Sequence, residues 1–238
     1  MPTMPARRLF IHQAIGYFLR QSYPNKELIV VDDAPGDPDE FKRYPPSVRY
    51  ITKDGNILTG AKVNYGVEHA SGDIIHKMDD DDWYHPEILS DLWRLMLPDP
   101  ENTVTRLYGS AILFLLKWRL KITGEKPWLI GASIMFHRKF WKRNKFNEEE
   151  LSGSDYKFRK GTSYREAILM RKDRLMFLRH GVKHTWSDEY KNVSADQFLE
   201  REPDHPQKIE EIIPAEDVAF YRDLRSKLIE GAKADQPG

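Results

Sequence analysis

ELIVVDDAPGD (residues 27–37) and GDIIHKMDDDDWYHPE (residues 72–87) follow one pattern: a short apolar run stops at aspartates, and turn-forming residues follow. In the first, Glu27 to Val31 is too short for a helix and rich in β-branched residues, and Pro35-Gly36 imposes a turn after Asp32-Asp33. This reads as a buried strand that delivers two carboxylates to a loop. In the second, Asp73 to Met78 reads as a strand that runs into Asp79-Asp80-Asp81-Asp82. Between the two, Val48 to Thr52 fits a strand and Gly60 to Ala70 a helix. Ahead of them the apolar pairs Leu9/Phe10, Ala14/Ile15 and Phe18/Leu19 recur at helical spacing over Arg8 to Arg20, until Pro24 stops the pattern. Pro86 suits the first turn of a helix over Glu87 to Leu97. Strand and helix therefore alternate over the first hundred residues, with strands apolar on both faces. That is the pattern of an α/β fold, a mostly parallel, doubly wound mixed sheet flanked by helices.

Beyond Pro100 the alternation loosens. Strands are expected over Asn102 to Leu107, Ala111 to Leu120, Ser133 to Phe136 and Arg174 to Leu178, with helices over Arg138 to Asn144, Asp155 to Met170 and Ala215 to Ile229. Residues 186 to 208, polar with scattered prolines, read as loop. No internal repeat is visible.

Composition narrows the classes. The 238 residues carry 37 Lys+Arg against 37 Asp+Glu, so the electrostatic footprint of a nucleic-acid binder is missing and no nucleic-acid partner is expected. The basic run Arg138, Lys139, Lys142, Arg143, Lys145 reads as the solvated face of an amphipathic helix, because Phe140 and Trp141 interrupt it. With no cysteine, thiolate catalysis and Cys-ligated metals are excluded. Ala111 to Leu116, the longest apolar run, is far below the roughly 20 residues of a membrane helix, so no transmembrane segment is expected. MPTMPARRLF lacks the apolar core of a secretory signal, which makes the cytoplasm the expected location. The length suits one domain: residues 1–100 as one half, 101–190 as the other, and 191–238 as a closing loop and helices.

The chemistry sits at the two acidic clusters. In extended chain, residues two apart share a face about 6.6 Å apart, which would project Asp79 and Asp81 together and turn Asp80 away. Two such carboxylates suit Mg²⁺ or Mn²⁺, which take one or two protein oxygens and fill the rest from water and phosphate. In open α/β sheets the ligand crevice lies beyond the carboxyl ends of the strands, where both clusters fall. Taken singly, each also reads as a solvated acidic turn or an Asx turn. Convergence of two clusters from different strands is what favours a site.

QSYPNKELIVVDDAPGD (21–37), GAKVNYGVEHASGDIIHKMDDDDWYHPE (60–87) and KPWLIGASIMFHRKFWKRNKF (126–146) resemble family 2 glycosyltransferases of the GT-A fold. The similarity runs from MPTMPARR to about Trp186, and EDVAFYRDLR is similar to the tail of some bacterial members. The resemblance implies transfer of a sugar from a nucleotide-sugar donor, UDP-sugars being commonest, to a glycan, lipid-linked or other hydroxyl acceptor. It implies inversion and a divalent cation, Mn²⁺ or Mg²⁺. Carried over residue by residue, it places Pro2, Thr3 and Asp32 at the nucleoside pocket with Lys62 and Asn64 beside it, Asp79 near the ribose, and Asp81 at the metal and diphosphate. His180 resembles a late histidine that approaches the metal, and His184 competes for that role.

The same resemblance puts the catalytic base at Asp155, second in an acidic pair that opens a helix; Ser154 stands where the first acid is usual, and Glu149 and Glu150 are alternatives. Trp128 and Gly131 match the stretch leading to the acceptor, an aromatic face and a close backbone approach, although a core role fits Trp128 nearly as well. Val63 stands where many relatives carry Arg, so the resemblance leaves that contact either missing or moved to Lys62. Pro2-Thr3 matches only the end of the family's first strand, which has apolar residues upstream.

Two rivals follow. A sugar-phosphate nucleotidyltransferase would need a Gly-rich phosphate loop near the start, which MPTMPARRLF lacks. A noncatalytic nucleotide- or glycan-binding domain would share the donor residues and lack turnover.

Overall fold

The computed structural model describes residues 1–34, 36–55, 57–124, 131–149, 154–160, 162–180 and 200–234. In chain order, β1 (Pro2–Thr3) leads through a 3-10 turn (Pro5–Arg7) into α1 (Arg8–Leu19). β2 (Leu28–Asp32), β3 (Val48–Thr52), α2 (Thr59–His69), β4 (Ile74–His76), β5 (Trp83–Tyr84) and α3 (Ile88–Met96) complete the front half. β6 (Thr103–Leu107), β7 (Ala111–Phe114), β8 (Arg119–Ile122), β9 (Met135–His137), α4 (Arg138–Arg143), α5 (Ser154–Phe158), β10 (Arg165–Leu169), β11 (Leu175–Arg179) and α6 (Ala215–Ala234) follow.

The strands form three sheets among the described residues, ordered β1-β2-β3, β10-β6-β9-β4 and β5-β11-β7-β8. The first is parallel throughout, with Thr3 opposite Asp32 and Asp32 opposite Thr52. β6 and β10 pair in parallel, as do β7 and β11, while β4, β5, β8 and β9 run antiparallel to their neighbours. The result is a mixed α/β architecture with helices against the sheets.

Two apolar clusters hold it. In the larger, Phe10, Ile11, Ala14, Ile15 and Phe18 form one face of α1 and meet β2, Trp83, α3 and α6. Tyr17 and Tyr221 share a buried hydrogen bond of 2.9 Å that fixes α6 across α1. The smaller cluster packs Val63 and Val67 of α2 on Phe136, Phe140, Trp141, Phe146 and Phe158, with Phe146 and Phe158 stacked at 4.1 Å. The basic run behaves as expected: Phe140 and Trp141 point inward, and Arg138 donates to the carbonyls of Val67, Ala70 and Gly72, capping the C-terminal end of α2.

Two expectations are corrected. Ala111 to Leu120 is a hairpin rather than one strand: β7 ends at Phe114, and the chain reverses through Trp118, at φ 49°, into β8. The expected helix over Asp155 to Met170 stops at Phe158, and Arg165–Leu169 is β10. The sequence GTS (161–163) lacks good helix formers, and β10 gains more by pairing along the whole of β6. β5, two residues long, is too short to produce a sequence signal.

A cavity of about 350 Å³ lies beside β1, lined by Met1, Phe18, Leu28, Ile29, His76 and Trp93 among others. Met1 N donates to Ile29 O at 2.8 Å there. The acids of the Asp79–Asp82 quartet line none of this space.

Candidate functional site

The carboxyl ends of β1, β2 and β4 meet at one edge. Thr3 lies opposite Asp32 by strand register, and Lys62 reaches across from α2, its Nζ 2.6 Å from Thr3 O and 2.8 Å from Asp33 Oδ2. Asp32 is fully buried and accepts from Arg8 at 3.1 Å and from the Tyr50 hydroxyl at 2.8 Å. Asp33 keeps one buried oxygen, Oδ1, without a hydrogen-bond partner. Pro2, Thr3, Asp32 and Lys62 are thus brought together as the sequence suggested. Val63 instead faces the smaller core.

Asn64 belongs to a different network. Its Oδ1 accepts from Trp141 Nε1 and Phe146 N, and its amide donates to Phe146 O and Glu148 Oε1. All four hydrogen-bonding positions are engaged within the fold.

The quartet does not alternate as extended chain would. β4 ends at His76 and the backbone bends at residues 80–82, so the carboxylates turn to three different partners. Asp79 Oδ1 meets Lys77 Nζ at 2.6 Å. Asp80 and Asp81 share one guanidinium, Arg7, at 2.8 and 2.9 Å. Asp82 Oδ1 accepts from Leu178 N at 2.9 Å and pins β11. The expected pairing of Asp79 with Asp81, Asp80 turned away, is therefore replaced by an Asp80–Asp81 pair.

Burial shapes the charges. It raises the Asp80 carboxyl to about 6, against the pull of Arg7, and lifts Asp82 well above the usual carboxylate range with Asp81 and Asp79 adding repulsion. Burial also works against the charges on Arg7 and Lys77, yet the surrounding aspartates hold both pKa values above normal. Both are permanent cations here.

His180 arrives from the end of β11, buried, with its ring 4.3 Å from that of Phe10 and Nε2 3.0 Å from Asp81 Oδ2. Burial lowers its pKa, with Asp81 opposing. The expected neighbours Asp81 and His180 are adjacent. Asp80 also retains a buried, unpartnered Oδ2. Carboxylate and imidazole donors with an unused buried oxygen fit a hard divalent cation, though Arg7 already lies on the same Asp81 oxygen. Among the described residues no three carboxylate or imidazole groups are gathered around a metal position. A cation here would draw its remaining ligands from substrate and water.

Asp155 opens α5, as expected, partly buried, and its Oδ1 lies 3.9 Å from Lys77 Nζ. One ammonium group therefore faces both Asp79 and Asp155. Burial raises the Asp155 pKa and Lys77 opposes the rise. A Cβ on Gly131 would come within 2.0 Å of Asp155 Oδ2, so the close approach that requires this glycine is to the carboxylate itself. Gly60 is constrained in the same way, since a Cβ there would strike Asn147 O at 1.8 Å. Trp128, Glu150 and His184 lie outside the described residues. Sequence reasoning missed Lys77 and Arg7: Lys77 sits inside an apolar strand run and Arg7 in a short turn, with only proximity to acids as a signal.

The glycosyl transferase family 2 model matches residues 1–163. The chain belongs to this family. This family 2 chain is 31% identical over 149 residues to WcaA of Escherichia coli K12, a glycosyl transferase assigned to colanic acid biosynthesis, covering 60% of this chain and 52% of WcaA. It is 25% identical over 220 residues to an uncharacterized glycosyltransferase of Rickettsia bellii, covering 81% of this chain and 32% of that protein. The chain thus spans about half the length of one curated relative and less of the other. In structure it resembles the crystal structure of S. aureus TarS 1–349 in complex with UDP-GlcNAc, at TM-score 0.62 and 18% identity, over 79% of this chain and 60% of that one. The fold is GT-A. Among the described residues no helix is long and apolar enough to cross a membrane.

Proposed function

We propose that the chain is an inverting glycosyltransferase that takes a sugar from a nucleoside-diphosphate donor, a UDP-sugar first, and delivers it to a hydroxyl of a glycan, lipid-linked or other acceptor. The observation that carries this reading is the Asp79–Lys77–Asp155 arrangement, in which one buried ammonium joins the donor-side acid to the acceptor-side acid. The UDP-GlcNAc complex of the structurally similar TarS supports UDP as the first nucleotide to try.

In this reading Pro2, Thr3, Asp32 and Lys62 border the nucleoside, and Asp79 takes the ribose. Asp155 accepts the proton of the acceptor hydroxyl, whose oxygen attacks the anomeric carbon as the bond to the diphosphate breaks and the leaving group takes the electron pair. Burial makes Asp155 more basic than a solvated carboxylate, and Lys77 opposes that rise. Gly131 leaves the carboxylate room. Asp81 and His180 are the residues that would hold Mn²⁺ or Mg²⁺, and such a cation, when bound, offsets the charge of the departing diphosphate.

The test is turnover of UDP-sugars by the wild type and by Asp155→Asn. Retained nucleotide binding with turnover reduced about 10²–10⁴-fold supports the assignment. Equal turnover in both proteins sinks Asp155 as the base. Binding without turnover in the wild type, across a panel of acceptors, favours the noncatalytic domain.

A further inference from the structure

We propose that Arg7 is a built-in counter-ion that competes with a divalent cation for Asp81, so that the cation affinity of this site is set by release of the guanidinium as well as by the carboxylates. The proposal rests on the metal-assisted reading above and adds a residue to it.

The guanidinium lies across two consecutive acids, Nη1 2.8 Å from Asp80 Oδ1 and Nη2 2.9 Å from Asp81 Oδ2. The second of these oxygens is also the one that His180 Nε2 approaches at 3.0 Å. A cation ligated by Asp81 Oδ2 and His180 therefore meets the guanidinium at the same atom. Two positive charges on one carboxylate oxygen repel, so a cation and the guanidinium compete for it.

The local charge balance favours exchange. Asp79 to Asp82 and Asp155 place five carboxyl groups around Arg7 and Lys77, and only Lys77 is tied to Asp79 and Asp155. Exchanging a single charge at Asp80 and Asp81 for a divalent one covers more of the remainder. The unpartnered buried Oδ2 of Asp80 offers a further donor that Arg7 leaves unused. Geometry also permits release, because Arg7 closes a three-residue 3-10 turn and its side chain keeps 12% exposure toward solvent. Its neighbour Arg8 holds Asp32 independently, so movement of Arg7 leaves the nucleoside-side acid anchored.

The test is Mn²⁺ binding, monitored by loss of the free-ion signal in electron paramagnetic resonance, without donor or acceptor, for the wild type, Arg7→Met and Arg7→Lys, with Asp81→Asn as the site control. Arg7→Met is expected to bind Mn²⁺ at least about tenfold more tightly than the wild type, a gain of about 1.4 kcal/mol. Arg7→Lys, which keeps the charge but cannot bridge two carboxylates, is expected to fall between them, and it carries the comparison if Arg7→Met does not fold. Asp81→Asn should abolish the tight site. Equal or weaker binding by the Arg7 variants overturns the competition while leaving the metal-assisted reading in place. Absence of Mn²⁺ binding in every protein overturns both.

Discussion

Gly131 and Asp155 are fitted to one another: a Cβ on the glycine would stand 2.0 Å from Asp155 Oδ2 and 3.2 Å from Lys77 Nζ. The absence of a side chain at 131 is therefore a condition for the carboxylate's position rather than for backbone flexibility. Gly131→Ala should displace Asp155 and lower single-turnover rates toward the level of Asp155→Asn, about 10²–10⁴-fold below wild type. Donor affinity, measured by nucleotide titration, should hold. A variant that loses nucleotide affinity but keeps its rate would place Gly131 on the donor side.

The pH dependence follows from the same group. With Asp155 as the base, its raised pKa means that the carboxylate is lost at a higher pH than a solvated acid's, so the acid limb of turnover should lie above that of a solvated carboxylate. Lys77 is the cation that opposes this rise. Lys77→Met should therefore move the acid limb of kcat/KM to higher pH, and a limb that stays put or moves down would contradict the pairing.

The expected positions of Asp32, Lys62, Asp81, His180 and Asp155 rested on motifs, and the structure sets Lys62 on Thr3, which lies opposite Asp32, His180 on Asp81, and Asp155 near the Lys77 that holds Asp79. Those motifs are local, so they were legible. The partners were not. Arg7 lies 73 residues before Asp80, and Asp217 lies 134 residues after Trp83, whose indole it accepts at 2.8 Å. Such pairings depend on how α1 and α6 cross, which no local pattern records. Asn64 was misleading for a related reason. It sits in a motif beside the donor edge, yet its side chain turns back into the aromatic cluster formed by residues 134–158. The short β10 and the β7–β8 hairpin failed for another cause: their apolar residues suit helix, strand or hairpin, and only pairing with β6 and β11 decides among these.

Asp217 provides a stability test. It is almost fully buried and accepts from Trp83, Gln13 and Arg20, which joins α6 to both α1 and the end of the acidic quartet. Asp217→Ala leaves the buried indole N–H of Trp83 without its acceptor and takes one of two acidic partners from the part-exposed Arg20, at a cost of about 1–3 kcal/mol. The midpoint of thermal unfolding should fall by roughly 3–12 °C. A change within a degree or two would show that α6 is held by its apolar contacts alone.

Asn64 separates a structural from a ligand role. Asn64→Leu orphans Trp141 Nε1 and Phe146 N, each worth about 1–3 kcal/mol when buried, and should lower the unfolding midpoint while nucleotide affinity of the folded protein stays unchanged. Loss of nucleotide affinity at unchanged stability would return Asn64 to the donor pocket.

The central claim, a nucleoside-diphosphate site at the Asp32 and Asp79–Asp81 edge, is tested most directly by thermal unfolding with UDP, GDP, CDP and dTDP, each in Mn²⁺ and in EDTA. A ligand at 100 times its Kd adds about 2.7 kcal/mol, which raises the midpoint of a chain this size by roughly 5–11 °C. The account predicts such a rise for one nucleotide, UDP first, larger in Mn²⁺ than in EDTA and lost in Asp32→Ala. No rise with any of the four nucleotides would contradict it.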